Sequence, residues 1–248
     1  MRLQKEVFLP DLTKKEIAVM NGAEKPAFQG LNTAQKSNFF SLTAKIYENY
    51  WRLPLSTSIL SGGKWNFQTE SDFLNQWIPQ KDHLVIVDAG TSTGLYSRAI
   101  LRNRKQKKWN TKIFAIDLSP AFIQVAKEKT ETDSKPDIHW LVADLRKLPF
   151  QSECIDVVVS GGTYNELSDP AQCLSEIFRI LKPGGIFISM HLLPATSFLG
   201  KIGQSLAALG GIHIQTDEKM QSIFQNTGFE IKESKSAYSI GMICCHKP

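Results

Sequence analysis

At 248 residues and a formal net charge of +5, the chain has room for one α/β domain with an N-terminal arm and a substantial core. The charge is modest and the basic residues are scattered apart from one cluster, so nucleic-acid binding is not implied. Cys154, Cys173, Cys244 and Cys245 form no C-x-x-C pair and no zinc spacing, so no metal site is expected, and no apolar run approaches the ~20 residues that span a bilayer.

Residues 1–32 read as an irregular arm with one short helix, with Thr13 and Glu16 spaced as a capping box and Gly22 as its stop. Met1 to Pro10 lacks an apolar secretory core, and Glu6, Asp11, Glu16 and Glu24 argue against a transit peptide. Together with reduced cysteines this predicts a soluble, cytoplasmic protein. From Thr33 to Trp51, residues Phe39, Thr43, Ile46, Tyr47 and Tyr50 recur at three- and four-residue steps, which predicts an amphipathic helix ended by Pro54. That helix either packs against the main domain or closes over a site. Thr69 and Asp72 flag the start of another, whose buried stripe is Phe73, Leu74, Trp77 and Ile78. Residues 1–79 are thus expected to form the arm and lid, and 80–248 the main domain.

Leu84 to Val87 is a short aliphatic run suited to a strand covered on both faces, and it ends in Asp88-Ala89-Gly90-Thr91-Ser92-Thr93-Gly94. A dinucleotide fingerprint fails here, because Ser92 and Leu95 stand where its glycines belong, and no Gly-Lys-Ser or Gly-Lys-Thr occurs. The next helix ends in Arg102, Arg104, Lys105, Lys107 and Lys108, which a βα unit places opposite the loop as a solvated helix end. The second strand, Lys112 to Ile116, ends in Asp117. Ser119-Pro120 already offers a helix cap, which leaves Asp117 for ribose hydroxyls. The third, Ile138 to Ala143, ends in Asp144, so three acids share one rim.

A fourth strand, Cys154 to Ser160, runs into Gly161-Gly162-Thr163-Tyr164-Asn165-Glu166-Leu167. An amphipathic helix then stops at Lys182-Pro183-Gly184-Gly185, which turns into a fifth strand, Ile186 to Met190. After His191, Phe198, Leu199, Ile202, Leu206 and Leu209 share one helical face within an insertion, 192–211. That face either covers an acceptor pocket or packs into the core. Thr216 caps a last helix, and strands at Glu230 to Ser234 and Ala237 to His246 close the sheet.

The acid-x-Gly-x-small-x-Gly turn, the Asp144 to Phe150 stretch matching D-x-x-x-L-P-F, and the E-x-x-R-x-L-K-P-G-G run from Glu176 resemble one family. It is the class I S-adenosylmethionine (SAM) dependent methyltransferases, in particular the ubiquinone and menaquinone biosynthesis (type 11) group. The resemblance covers residues of about 40 to 247, and Ser92 departs from it by replacing the middle glycine. It implies a Rossmann-like, doubly wound, mostly parallel seven-stranded sheet with an antiparallel last strand, behind an N-terminal helical arm. It also implies SAM as cofactor and S-adenosylhomocysteine as product. Asp88, Ala89, Gly90, Thr91, Ser92 and Gly94 would hold the methionine end, Asp117 and Leu118 the ribose, and Asp144 and Leu145 the adenine. Gly161 would line the same site, and Tyr47, in Tyr47-Glu48-Asn49-Tyr50-Trp51, resembles the family's aromatic closing element. Many members carry small-small-x-L-H-H after the fourth strand; here Tyr164, Asn165 and Glu166 take those places, so the rim candidates for catalysis are Tyr164, Glu166 and His191.

The implied acceptor is a hydrophobic small molecule, aromatic or quinone-like, reached with at most peripheral membrane contact. The alternatives are a SAM-binding module without catalysis, or methylation of RNA or protein. The sequence lacks the [DN]-P-P-[YF] loop of amino-methylating DNA enzymes and the paired acids of arginine methyltransferases.

Overall fold

The computed structural model describes residues 31–52, 63–130, 138–167 and 169–248. The helix expected near Thr13 and the stop at Pro54 lie outside the described residues, as do the side chains of Tyr50 and Trp51.

Seven strands form one sheet: β1 (Leu84–Ala89), β2 (Thr111–Asp117), β3 (Ile138–Val142), β4 (Ile155–Gly161), β5 (Leu181–Leu192), β6 (Glu230–Ala237) and β7 (Ile240–His246). Their order is β3-β2-β1-β4-β5-β7-β6. Strand β1 runs parallel to β2 and β4, β3 to β2, and β5 to β4, whereas β7 is antiparallel to both β5 and β6. This is the doubly wound sheet the resemblance implies. The chain reverses direction across the sheet between β1 and β4, which opens a crevice at their carboxyl ends.

The helices are α1 (Thr33–Ser37), α2 (Ser41–Ile46), α3 (Phe67–Trp77), α4 (Leu95–Gln106), α5 (Pro120–Thr130), α6 (Ala171–Ile180), α7 (Phe198–Leu209) and α8 (Asp217–Asn226). A π-helical turn, Tyr47–Arg52, continues α2. Every residue of β1 is buried, because the sheet is covered on both sides. Val87, Phe114, Leu174, Phe187 and Phe224 belong to the core on the α6 and α8 side, and Ile86, Ile113, Leu74, Ile100 and Met242 to the core on the α3 and α4 side. Cys244 and Cys245, adjacent on β7, fall on opposite faces and are both buried, and all four cysteines are free.

Several expectations are corrected by packing. The stretch from Thr33 is not one helix; it breaks between Ser37 and Ser41, and its inward side carries Ala44, Glu48 and Arg52 rather than Ile46. Asn66, not Thr69, caps α3, its Oδ1 accepting the Thr69 N–H at 3.1 Å. Strand β5 already begins at Leu181, so Lys182 to Gly185 lie in an irregular stretch of that strand, where its register to β4 shifts. Arg104 is no solvated helix end. It is 2% exposed. Its Nε donates to Thr111 Oγ1 at 2.8 Å and its Nη1 to the Pro79 carbonyl at 3.1 Å. Its Nη2 donates to the Lys81 carbonyl, and the guanidinium lies over Trp109. The face of α7 bearing Phe198, Ile202, Leu206 and Leu209 points to solvent, neither into the core nor over a pocket.

Candidate cofactor and acceptor site

The loop after β1 is wound so tightly that Gly90, Ser92 and Gly94 all take positive φ, at +73°, +52° and +81°. A Cβ on Gly90 would lie 2.0 Å from Thr163 Oγ1, and one on Gly94 would lie 2.6 Å from the Trp140 ring, so close approach as well as conformation demands glycine. Asp88 organises this loop from below. Its Oδ2 accepts from Thr91 Oγ1 and Ser97 Oγ, each at 2.6 Å, and from the Ser97 N–H at 3.0 Å. Burial pushes its carboxyl up, against those bonds. Ser92 tolerates the left-handed backbone because its N–H is fixed, donating to Asp117 Oδ2 at 2.8 Å. Its hydroxyl is buried without a well-formed hydrogen bond, beside the Tyr47 phenol.

Three acids reach the cavity rim, but in different states. Asp117 takes the Ser92 N–H on one oxygen and the Ser119 N–H on the other, both at 2.8 Å, and burial raises its pKa to about 6. Glu166 lines the same cavity. Burial, then repulsion from Asp117, raises its pKa to about 7, while Asn38 Nδ2 donates to its Oε2 at 3.1 Å. Asp144 is half-buried and clasped by Arg146, whose Nη2 donates to Oδ2 at 2.6 Å. Burial opposes ionisation there, but the guanidinium holds the carboxyl below its ordinary range. Leu118, Leu145 and Gly161 complete the expected lining.

Helix α1 and its flanking residues form one wall of this cavity. Asn32 caps α1, its Oδ1 accepting the Gln35 N–H at 2.8 Å, and its Nδ2 donates to the carbonyls of Glu166 and Gly211, both at 2.9 Å. Gly211 must remain glycine, since its φ is +92° and a Cβ would sit 2.5 Å from Asn32. Ser119 Oγ donates to the Asn38 carbonyl at 2.5 Å, so Asn38 spans from the β2 side to Glu166. Tyr47 lies edge-on to Phe122 of α5 at 5.1 Å, and burial lifts its phenol to about 12.

Beside the main cavity, a narrower recess shares Tyr47, Gly90, Ser92 and Gly161 with it and adds Arg52, Asp88, Thr91 and Tyr96. Arg52 and Glu70 form a buried bidentate pair at 3.1 and 2.6 Å, with the Tyr96 hydroxyl donating to Glu70 at 2.5 Å. Glu48 anchors the π-helical turn to the loop, accepting from Thr93 Oγ1 at 2.5 Å and from Arg98, with Lys129 3.1 Å away.

Two proposed catalytic residues do not reach the cavity. Tyr164 is buried between Phe187 and Phe224, where desolvation pushes its phenol far up. His191 is wholly buried against the Gly241 backbone, with Asp217 Oδ1 3.5 Å from its Nε2. Ala89 lies behind the loop, its carbonyl accepting from Ser160 Oγ at 2.8 Å, and Gly94 faces Trp140. Sequence reasoning missed Asn32, Asn38, Arg52 and His213. The last is brought to the rim by Asn165, whose carbonyl accepts the His213 N–H at 2.5 Å and whose Nδ2 donates to the His213 carbonyl at 2.9 Å. Polar residues breaking the stripe before Phe39, and a buried Arg and Glu four apart, were the available signals.

A carboxylate at the tip of β2 and a small-residue loop at the crevice are the arrangement that open α/β sheets use at nucleotide sites. Residues 87–189 match a family model described as a methyltransferase domain. An uncharacterized chloroplastic methyltransferase of Arabidopsis thaliana is 25% identical over 214 residues, covering 84% of this chain and 58% of its own. The demethylmenaquinone methyltransferase of Symbiobacterium thermophilum is 26% identical over 168 residues, covering 67% of this chain and 64% of its own. The chain therefore spans less than two thirds of the length of these relatives. The solved phosphoethanolamine N-methyltransferase 2 of Haemonchus contortus, bound to phosphomonomethylethanolamine and S-adenosylhomocysteine, superposes with a TM-score of 0.69 at 16% identity. It covers 87% of this chain and 59% of its own, and shows the shared fold. Residues 87–189 thus resemble a methyltransferase domain, in the same direction as the resemblance read from the sequence motifs. The family match and methyltransferase-named relatives support SAM as the cofactor.

Proposed function

We propose that the protein is a SAM-dependent methyltransferase acting on a small molecule with an apolar body, aromatic or quinone-like, and a hydroxyl. Asp117 carries the cofactor reading. It faces the cavity, its oxygens are oriented by the Ser92 and Ser119 N–H groups, and lone pairs are left for a ribose diol. The fit to SAM is also supported by the buried Ser92 hydroxyl without a well-formed bond and by the recess beside the loop, which would take the methionine end near Arg52. Leu118 and Phe122 offer apolar contact to the nucleoside, with Asp144 and Leu145 toward the base.

SAM, when bound, supplies an electrophilic methyl group. What this chain supplies is alignment of the two reactants, exclusion of water beneath α1, and a place for one proton. Glu166 is the proposed base. Its carboxyl, near 7, matches neutral pH, and the Asn38 amide holds Oε2. Leu31, Phe39 and Leu167 give the apolar lining, and the relative from Symbiobacterium, by its name a demethylmenaquinone methyltransferase, supports an acceptor of this class.

Calorimetric titration with S-adenosylhomocysteine tests the cofactor site. Asp117→Ala should weaken binding about 100-fold, on the order of two lost charge-assisted hydrogen bonds, with an unchanged circular dichroism spectrum. Equal affinity in mutant and wild type would overturn it. Mass spectrometry of cell extracts incubated with the protein and isotopically labelled SAM would then find the acceptor.

A further inference from the structure

Among the described residues, the large hydrophobic side chains left exposed are concentrated on two elements. Phe198, Ile202, Leu206 and Leu209 are 77%, 45%, 65% and 82% exposed on α7, at helical steps that make one stripe. Phe40, Leu42 and Ile46 are 67%, 71% and 45% exposed on and just before α2. Tyr238 alone stands elsewhere.

Helix α1, which leads into α2, shares an edge with the end of α7, because the Ala34 N–H donates to the Gly210 carbonyl at 2.8 Å and Asn32 bonds to Gly211. That edge covers the cavity, whose lining includes Asn32, Asn38, Phe39 and His213. The opposite side of α7 is tied down by Gln204, which takes the Ala195 N–H at 2.7 Å and donates to the Leu193 carbonyl at 2.8 Å. So the helix is held with its apolar stripe outward, the reverse of ordinary core packing.

Charge identifies the occupant. Helices α1, α2 and α7 carry Lys36, Lys45 and Lys201 and no Asp or Glu. In a symmetric dimer through this edge those lysines would find no acid on the same helices of the other copy to pair with. Anionic headgroups would pair with all of them while the stripe enters the acyl boundary. We propose that this edge docks on the surface of an anionic lipid bilayer, with α7 lying flat and the cavity opening beside the membrane.

The docking surface stands apart from the identity of the acceptor, and it is read without turnover. The full-length chain is sedimented with phosphatidylcholine vesicles and with vesicles containing phosphatidylglycerol. Wild type should pellet with the anionic vesicles and be released by salt. The variant Phe198→Ser, Ile202→Ser, Leu206→Ser removes only solvent-facing side chains. It should lose about tenfold or more in binding while its S-adenosylhomocysteine affinity holds. Reversing Lys36, Lys45 and Lys201 to Glu should abolish the preference for anionic lipid. Wild type left in solution with both vesicle types would overturn the proposal. So would a dimer, measured by light scattering, that the serine variant dissolves, since the edge would then belong to a second copy.

Discussion

Asp117 and Glu166 are two buried carboxyls facing one cavity; burial raises both, and Asp117 makes ionisation of Glu166 harder still. Both folded pKa values, about 6 and about 7, lie above those of the unfolded chain. Below about pH 4 both groups are protonated in both states and cost nothing. As pH rises toward 7 the unfolded chain releases its protons while the fold retains them, so the ligand-free protein loses stability across that window. Glu166→Gln keeps an oxygen for the Asn38 amide but cannot ionise. It should be more stable than wild type by about 2 kcal/mol at pH 8 and equal to it at pH 4, as read by urea denaturation. A mutant no more stable than wild type at pH 8 would contradict the burial and the Asp117 repulsion that raise the Glu166 carboxyl. At this scale Asp117 and Asp144 are legible in the sequence, because each closes an apolar strand, and Glu166 because it follows the fourth. The raised state of Glu166 is not, because burial and Asp117 set it, and its hydrogen-bond partner Asn38 lies 128 positions away.

The same distance explains which elements are legible. Parallel strands buried on both faces read as short apolar runs, and β1 to β4 fall within a residue or two of their expected limits. Helices α1 and α2 obey no such local rule. Helix α1 has five residues, too few to persist alone, and it exists because Asn32 joins it to Glu166 and Gly211, 134 and 179 positions away. Amphipathic periodicity also misleads at α7, where the apolar face is real but turned outward. Asn32→Ala removes the cap and both long-range bonds, a local loss of about 1–2 kcal/mol. Amide exchange should accelerate across 33–38 and remain unchanged in β1, β2 and β4, with S-adenosylhomocysteine affinity several-fold weaker. Accelerated exchange in the central strands instead would mean that Asn32 supports the fold rather than the lid.

On the scale of the whole molecule, the cavity is where separate parts of the chain converge. The loop after β1, the tip of β2, the turn after β4, helix α1 and the segment after α7 all line it. The segment from Asn32 to Arg52 is fastened to that loop by Glu48, and to the β4 turn and the end of α7 by Asn32, so the parts around the cavity are mechanically joined. A ligand there contacts pieces that would separate on unfolding, so binding should stabilise the sheet and lid as one unit. At a concentration about 100 times its Kd, S-adenosylhomocysteine contributes about 2.7 kcal/mol. For a chain of this size that corresponds to roughly 5–10 °C in Tm. Differential scanning calorimetry should show one transition moving up by that amount, and Asp117→Ala, for which the same ligand concentration is about its own Kd, should move by only about 1 °C. A ligand that raised only part of a split transition would show instead that the lid unfolds independently of the sheet.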